Sequence, residues 1–227
     1  MRFTDLFRKK KKEFYPEYLY TEEELNEYEE YVTETFGKFD KVFHEMVSPD
    51  IHLDVVIIPP GRDPFYRLVT MGAGAYAMNI PDDLVLYNLK HAEYTITLPA
   101  DWNLNSSAEE DYWPIRILKS TARIPVQSGS WLGTGHTIHG NADKAPFASN
   151  TRLNSILLMP ALDRKNGCEA SVVLGSSRKK INFYELVPLY QNELEYKFEH
   201  GYDAFLDAMP DEAFPLITRP DRKNWIE

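Results

Sequence analysis

The chain has 227 residues, 43% of them apolar and 26% charged, an ordinary globular balance with length enough for a sizeable core. Its 35 acidic and 25 basic residues leave a net charge of −10, which disfavours general nucleic-acid binding because phosphates need a positive surface. No run of about 20 apolar residues could form a spanning helix, no secretory apolar core follows the N-terminal charges, and the single Cys168 permits no intrachain disulfide, so a soluble, cytoplasmic protein is expected.

Arg8 to Lys12 are five consecutive cations, followed from Glu13 to Glu34 by nine Glu and no Lys or Arg. Residues 1–12 read as a solvated, disordered basic arm, and 13–227 as one domain. A weak anionic-membrane tether, helped by Phe3, Leu6 and Phe7, is the alternative for the arm, without stable insertion. Thr21-Glu22-Glu23-Glu24 matches a capping box, and Leu25, Tyr28, Val32 and Phe36 recur at helical spacing, which predicts a helix over 22–36 stopped by Gly37. Residues 42–47 read as extended.

Ile51 to Ile58 alternates with period two and stops at Pro59-Pro60-Gly61. Tyr66 to Met71 reads as its partner strand, with Gly72 and Gly74 permitting a sharp turn. His91 to Leu98 alternates again, placing Ala92, Tyr94, Ile96 and Leu98 inward and His91, Glu93, Thr95 and Thr97 outward. Asp111 caps a predicted helix from Tyr112 to about Ile124, with Pro125 as its stop. Ser128 to Gly140 reads as a long shaped loop. Further strands are expected at 155–159, 170–174 and 181–187. Pro188 opens a helix to about His200, with Leu194 and Phe198 on one face and a Glu193–Lys197 pair in support. Tyr202, Phe205, Leu206 and Met209 suggest a further turn-rich piece, and the tail from Pro210 reads as irregular. Strands and helices mix without strict alternation, which predicts an α+β fold with a mixed, largely antiparallel sheet packed with helices.

Catalytic motifs fail at the points their chemistry requires. In Gly129-Ser130-Trp131-Leu132-Gly133 the Ser directly follows the first Gly, whereas a nucleophile elbow needs one residue between them. Gly133-x-Gly135 has Ile138 where a dinucleotide fingerprint needs its third Gly, and it follows a helix. Two imidazoles at His136 and His139, with His52 and Asp54 on one strand face, could in principle supply four metal ligands. Two His three apart in a loop fix little geometry, so ordinary hydrogen bonds or partner contacts are the plainer reading, and no metal or cofactor is expected. Cys168 reads as a small buried apolar residue. His52 and Asp54 become a polar floor if the glycine-rich loop covers them.

Several stretches, in order, carry a resemblance. They are His52-Leu53-Asp54-Val55-Val56; Leu68-Val69-Thr70-Met71-Gly72 to Ala77-Met78; Ala92 to Pro99 with Trp102; Ala122-Arg123-Ile124-Pro125 through Trp131, Gly135-His136-Thr137 and Gly140; and Glu185 to Tyr190 continuing from Glu193 to Gly201. Over residues 40–207 the set resembles the Suppressor of fused family in its bacterial form.

The resemblance implies a sandwich-like α+β fold and a binding role without catalysis. Animal members of the family hold a short extended segment of a Gli transcription factor, partly as an added strand, and this chain resembles only their N-terminal half. Where they carry an acidic residue before the loop histidine this chain has Gly135, which argues against a Gli-type grip. For a bacterial form the resemblance implies an immunity protein neutralising a cognate toxin. The expected protein or peptide partner would contact Trp102, Trp131, His136, His139, His52 and Asp54, the Trp residues being typical interface anchors. The competing reading is a metal-dependent hydrolase using His52, Asp54, His136 and His139.

Overall fold

The structure, a computed structural model, describes residues 16–46, 48, 50–140, 143–163 and 165–226. The basic arm, residues 1–12, lies outside the described residues, as does Val47. Helix α1 (Glu22–Thr35) starts on its capping box: the Thr21 hydroxyl accepts from the Glu24 N–H at 3.2 Å, and the Glu24 carboxylate accepts from the Thr21 N–H at 3.0 Å. Tyr28, Val32 and Phe36 are buried, so the helical spacing marks its packed face.

Among the described residues eight strands share one sheet: β1 (Lys41–Phe43), β2 (Asp54–Ile58), β3 (Phe65–Met71), β4 (His91–Pro99), β5 (Thr137–His139), β6 (Ser155–Pro160), β7 (Ser171–Val173) and β8 (Lys180–Leu189). Their order is β1-β2-β3-β4-β8-β6-β5, with β7 beside β8. Only the β4–β8 ladder is parallel among the named pairings. This is the expected α+β fold with a mixed, largely antiparallel sheet. Helices α2 (Glu109–Ser128), α3 (Gln191–His200) and α4 (Tyr202–Ala208) complete it.

Prolines mark the boundaries less well than the periodicity suggests. Helix α2 starts three residues earlier than expected, after Ala108 and not on an Asp111 cap, and runs through Pro125 to a left-handed Gly129 at φ 62°. Pro125 removes one internal hydrogen bond, but residues on both sides of it, Ala122 and Val126, stay packed on the core, and that packing outweighs the break. Pro114 likewise leaves a helical carbonyl without its donor, and the Asn150 amide supplies one to the Glu110 carbonyl at 3.0 Å. Pro188 does not open a helix. It lies near the end of β8, past the last residue paired with β4, where a missing N–H harms the sheet least, and α3 begins three residues later.

Other expectations are also corrected. Residues 42–47 hold only the end of the three-residue strand β1. The glycine-rich stretch contains a strand, β5. Leu194 is buried but Phe198 is 62% exposed. Glu193 pairs with Arg222 and Lys197 donates to the Gly135 carbonyl, so the two do not support α3 as a mutual pair. Cys168 is exposed, in a turn held by Asp163 and Asn166.

The largest correction concerns the sheet's faces. Glu93, Thr95 and Thr97 were expected toward solvent, yet they are 0%, 0% and 1% exposed. One face packs on α2: Val55, Leu68, Tyr94, Ile96, Leu98, Tyr184 and Leu186 meet Trp113, Ile117 and Leu118. The opposite face is covered twice. Toward β2 and β3, α1 brings Tyr28, Val32 and Phe36 onto Val56, Val69 and Phe183. Toward β6, α3 and α4 bring Leu194 and Phe205 onto Leu157, Met159 and Val187. Alternation in sequence therefore records two chemically different buried faces, not a wet and a dry one.

Candidate functional site

His52 and Asp54 lie at the start of β2. Gly72 must be glycine for the end of β3 to pass this point: its φ is 120°, and a Cβ would stand 1.9 Å from the His52 carbonyl oxygen. Asp54 is almost fully buried and accepts from the Glu45 N–H at 2.8 Å, with His44 Nδ1 at 2.9 Å and His52 Nε2 at 3.3 Å. Ser48 Oγ lies 2.9 Å from His52 Nδ1, which sets Ser, His and Asp in a row. The row is wired against nucleophilic catalysis. Ser48 donates its proton to Glu45 Oε2 at 2.7 Å, so toward His52 the hydroxyl can only accept. Glu45 is in turn paired with Arg123 of α2, which also reaches Asp50. The cluster ties the approach to β2 onto α2.

Trp102 packs edge-on against Trp113 with ring centroids 6.0 Å apart, and its indole N–H donates to the Asp111 carbonyl at 2.8 Å. Its remaining surface lines a cleft beneath β1 with His44 and Tyr66. Trp131, His136 and His139 lie at the other end of the sheet. Four strands separate β2 from β5, so the glycine-rich loop does not roof His52 and Asp54. The four supposed metal ligands do not converge, and among the described residues no group of three or more His, Cys, Asp and Glu is placed to hold a metal ion.

The β5 end is a small built surface. The Trp131 and His136 rings meet edge-on with centroids 4.3 Å apart. Burial pushes the His136 imidazole below its ordinary pKa, and the Lys197 charge pushes the same way. Lys197 Nζ donates to the Gly135 carbonyl at 2.7 Å, fixing the loop to α3. Gly135 has φ 81°, which favours glycine there. The hydrogen bonds Leu158 N–H to His136 O and Gly140 N–H to Asn154 O set the ladder's alternation. By that alternation Ile138 bonds inward to Ile156, while Thr137 and His139 direct their N–H and C=O groups away from β6. Among the described residues β5 is the last strand on its side of the sheet.

A third site was not read from the sequence. Between α1 and α4, the sheet's second face carries a cleft of about 700 Å³. Its floor is Arg67 of β3, Thr97 of β4 and Glu185 of β8; its walls include Met159, Leu162, Tyr202, Leu206 and the Phe214-Pro215-Leu216 segment. Glu185 is 4% exposed. One of its oxygens accepts from the Thr95 hydroxyl, while Oε1 has no hydrogen-bond partner among the described residues. Arg67 holds its guanidinium over the Phe36 ring at 4.9 Å, with Nε and Nη1 likewise unpartnered. Burial raises the Glu185 carboxyl, opposed by the Arg67 charge and by the Thr95 hydrogen bond. Unpaired buried polar atoms cost about 1–3 kcal/mol each, so this floor is destabilised as it stands. The legible signal was a pair of charged side chains, Arg67 and Glu185, among the mostly apolar neighbours of β3 and β8.

The family model of Suppressor of fused protein (SUFU) matches residues 49–223. The chain belongs to the Suppressor of fused family. Among solved structures, this SUFU chain is similar to one described as a SUFU homologue from Neisseria gonorrhoeae, at 17% identity over 92% of this chain and 97% of that chain, with a TM-score of 0.59. It is also similar to a chain of the Sufu–Fu complex, at 15% identity over 76% of this chain and 75% of that one, with a TM-score of 0.53. A third similar chain is Drosophila Suppressor of Fused, at 14% identity and a TM-score of 0.50, with 77% of this chain matching 47% of that one. This SUFU chain thus spans about half the length of the Drosophila chain. A comparison with curated proteins finds no match. Likeness at these identities establishes the SUFU fold, and function must be argued from the sites. No helix among the described residues is long and apolar enough to cross a membrane.

Proposed function

We propose that this SUFU chain is a non-enzymatic, cytoplasmic protein-binding domain that takes an extended segment of its partner onto the outer edge of β5. The observation that carries this reading is the outward backbone of Thr137 and His139 on a strand that is terminal among the described residues, beside the edge-on Trp131 and His136 rings. An extended peptide adds to such an edge through main-chain hydrogen bonds, and neighbouring side chains select its sequence. The Sufu–Fu complex, in which a similar chain is bound to a protein, supports a binding role. His52, Asp54 and Trp102 have most of their polar atoms engaged within the chain, so we assign them a supporting role away from this interface. The partner we favour is a cognate toxin: a chain of net charge −10 suits the neutralisation of a basic protein.

The test is co-expression with a toxin encoded beside this chain, scored by growth and by co-purification. Wild type should rescue growth. His139→Pro should not, because it removes an outward N–H that β6 does not use, and Trp131→Ala should weaken co-purification at least tenfold. Rescue by both variants at wild-type level would remove β5 as the interface.

A further inference from the structure

We propose that the cleft on the second face of the sheet binds a small, uncharged molecule with an apolar body and a carboxamide head, the head seated between Glu185 and Arg67. This site is separate from the β5 edge and does not depend on how the partner binds. Three observations carry it. The cleft, at about 700 Å³, falls within the range of small-molecule sites, and its walls are chiefly apolar. Glu185, nine-tenths and more buried, lines it with a carboxylate oxygen that no described group satisfies. Arg67 lines the same floor with two unsatisfied N–H groups, close enough to attract Glu185 yet in no ion pair with it among the described residues.

The head group follows from what the floor lacks. Glu185 Oε1 needs a donor, and Arg67 Nε and Nη1 need an acceptor. A carboxamide presents both on one planar group. An amine or amidine would satisfy Glu185 and confront Arg67, and a carboxylate would do the reverse. At the floor the opposite charges of Arg67 and Glu185 offset one another, while the other charged lining residues, Arg62, Asp63, Asp163 and Glu169, are exposed or half-buried in the walls; a neutral head therefore introduces no uncompensated charge at the buried floor. Both side chains are also held in place: the Thr95 hydroxyl anchors Glu185, and Phe36 supports the Arg67 guanidinium. A ligand therefore meets a formed site and need not order one.

Four probes of nearly equal size separate the possibilities on the full chain: benzamide, benzamidine, benzoate and toluene. Binding is read by NMR titration, with the backbone amides of Thr97 and Leu206 as reporters. Benzamide should bind with a dissociation constant on the order of a millimolar, at least fivefold tighter than the other three. Arg67→Met, which leaves Glu185 unopposed, should turn the preference to benzamidine, and Glu185→Gln should turn it to benzoate. A role confined to packing would not invert the order in this way. Leu162→Trp, at the exposed rim, should weaken benzamide with the melting temperature unchanged, and it keeps the test decisive if the floor variants fail to fold. Equal binding of benzamide and toluene, tighter binding of either charged probe to wild type, or shifts confined to residues outside the cleft would each overturn the proposal.

Discussion

Both faces of the sheet are covered by helices, and they differ in what they were built to do. Beneath α2, Trp113, Ile117 and Leu118 meet a continuous apolar layer from five strands, β2, β3, β4, β6 and β8. On the other face the apolar layer is broken into two clusters, under α1 and under α3–α4, and between them run Arg67, Thr97 and Glu185. A continuous layer supplies stability with few directional demands. A divided layer gives some of that up and leaves a cleft whose polar groups have fixed positions. Stability and recognition are thus placed on opposite sides of one sheet.

The sharpest way to break this contrast is at its apolar side. Trp113→Ala should lower unfolding free energy by about 3–5 kcal/mol, because the ring is fully buried and stacks on Phe147; denaturant titration would show it. The next largest effect should come from Arg222, which pairs with the fully buried Glu193 and lies 3.7 Å from the Trp225 ring centroid. Arg222→Met strands a buried carboxylate and should cost about 3 kcal/mol by the same titration.

Glu93 gives the contrast a pH signature. It accepts from Tyr20, Thr70 and the Gly72 and Gly74 N–H groups, yet burial raises its carboxyl from 4.5 to about 7. Over that window the folded state holds a proton that the unfolded chain has released, so the contribution of Glu93 to stability is fully present below pH 4.5 and is lost as pH rises toward 7. Unfolding free energy should fall on the order of 2 kcal/mol between pH 5 and 7. Glu93→Gln should remove its own part of the slope, leaving that of Glu185, which burial also raises.

The smallest effect should be the most informative about the cleft. Replacing its floor by apolar groups, Arg67→Met with Glu185→Leu, should leave the chain as stable as before or raise its stability by about 1 kcal/mol. A loss above 2 kcal/mol would mean that Arg67 and Glu185 hold the fold together, and the division between stabilising and recognising faces would fail.

Much of the local structure was legible in sequence because local physics sets it. The capping box at Thr21 and Glu24 fixed the start of α1, and period-two runs located β2 and β4 to within a few residues. The ordered motifs from His52 to Gly201 pointed to the family that the match over 49–223 establishes. Proline misled at 125 and 188 because its penalty of a few kcal/mol is finite, and packing along α2 and β8 exceeds it.

What tertiary structure alone decided is the meaning of the alternating residues. Period two states that Thr95, Thr97 and Glu185 point opposite to Tyr94, Ile96 and Leu186, but it cannot state what covers them. That cover comes from α1, before the sheet, and from α3 and α4, after it. The same limit separated His52 and Asp54 from His136 and His139, since strand order, not sequence spacing, placed four strands between them. Composition and local pattern determined the elements and the class of the chain. Contacts between distant segments determined which polar residues face a cleft, and a sequence carries no local record of them.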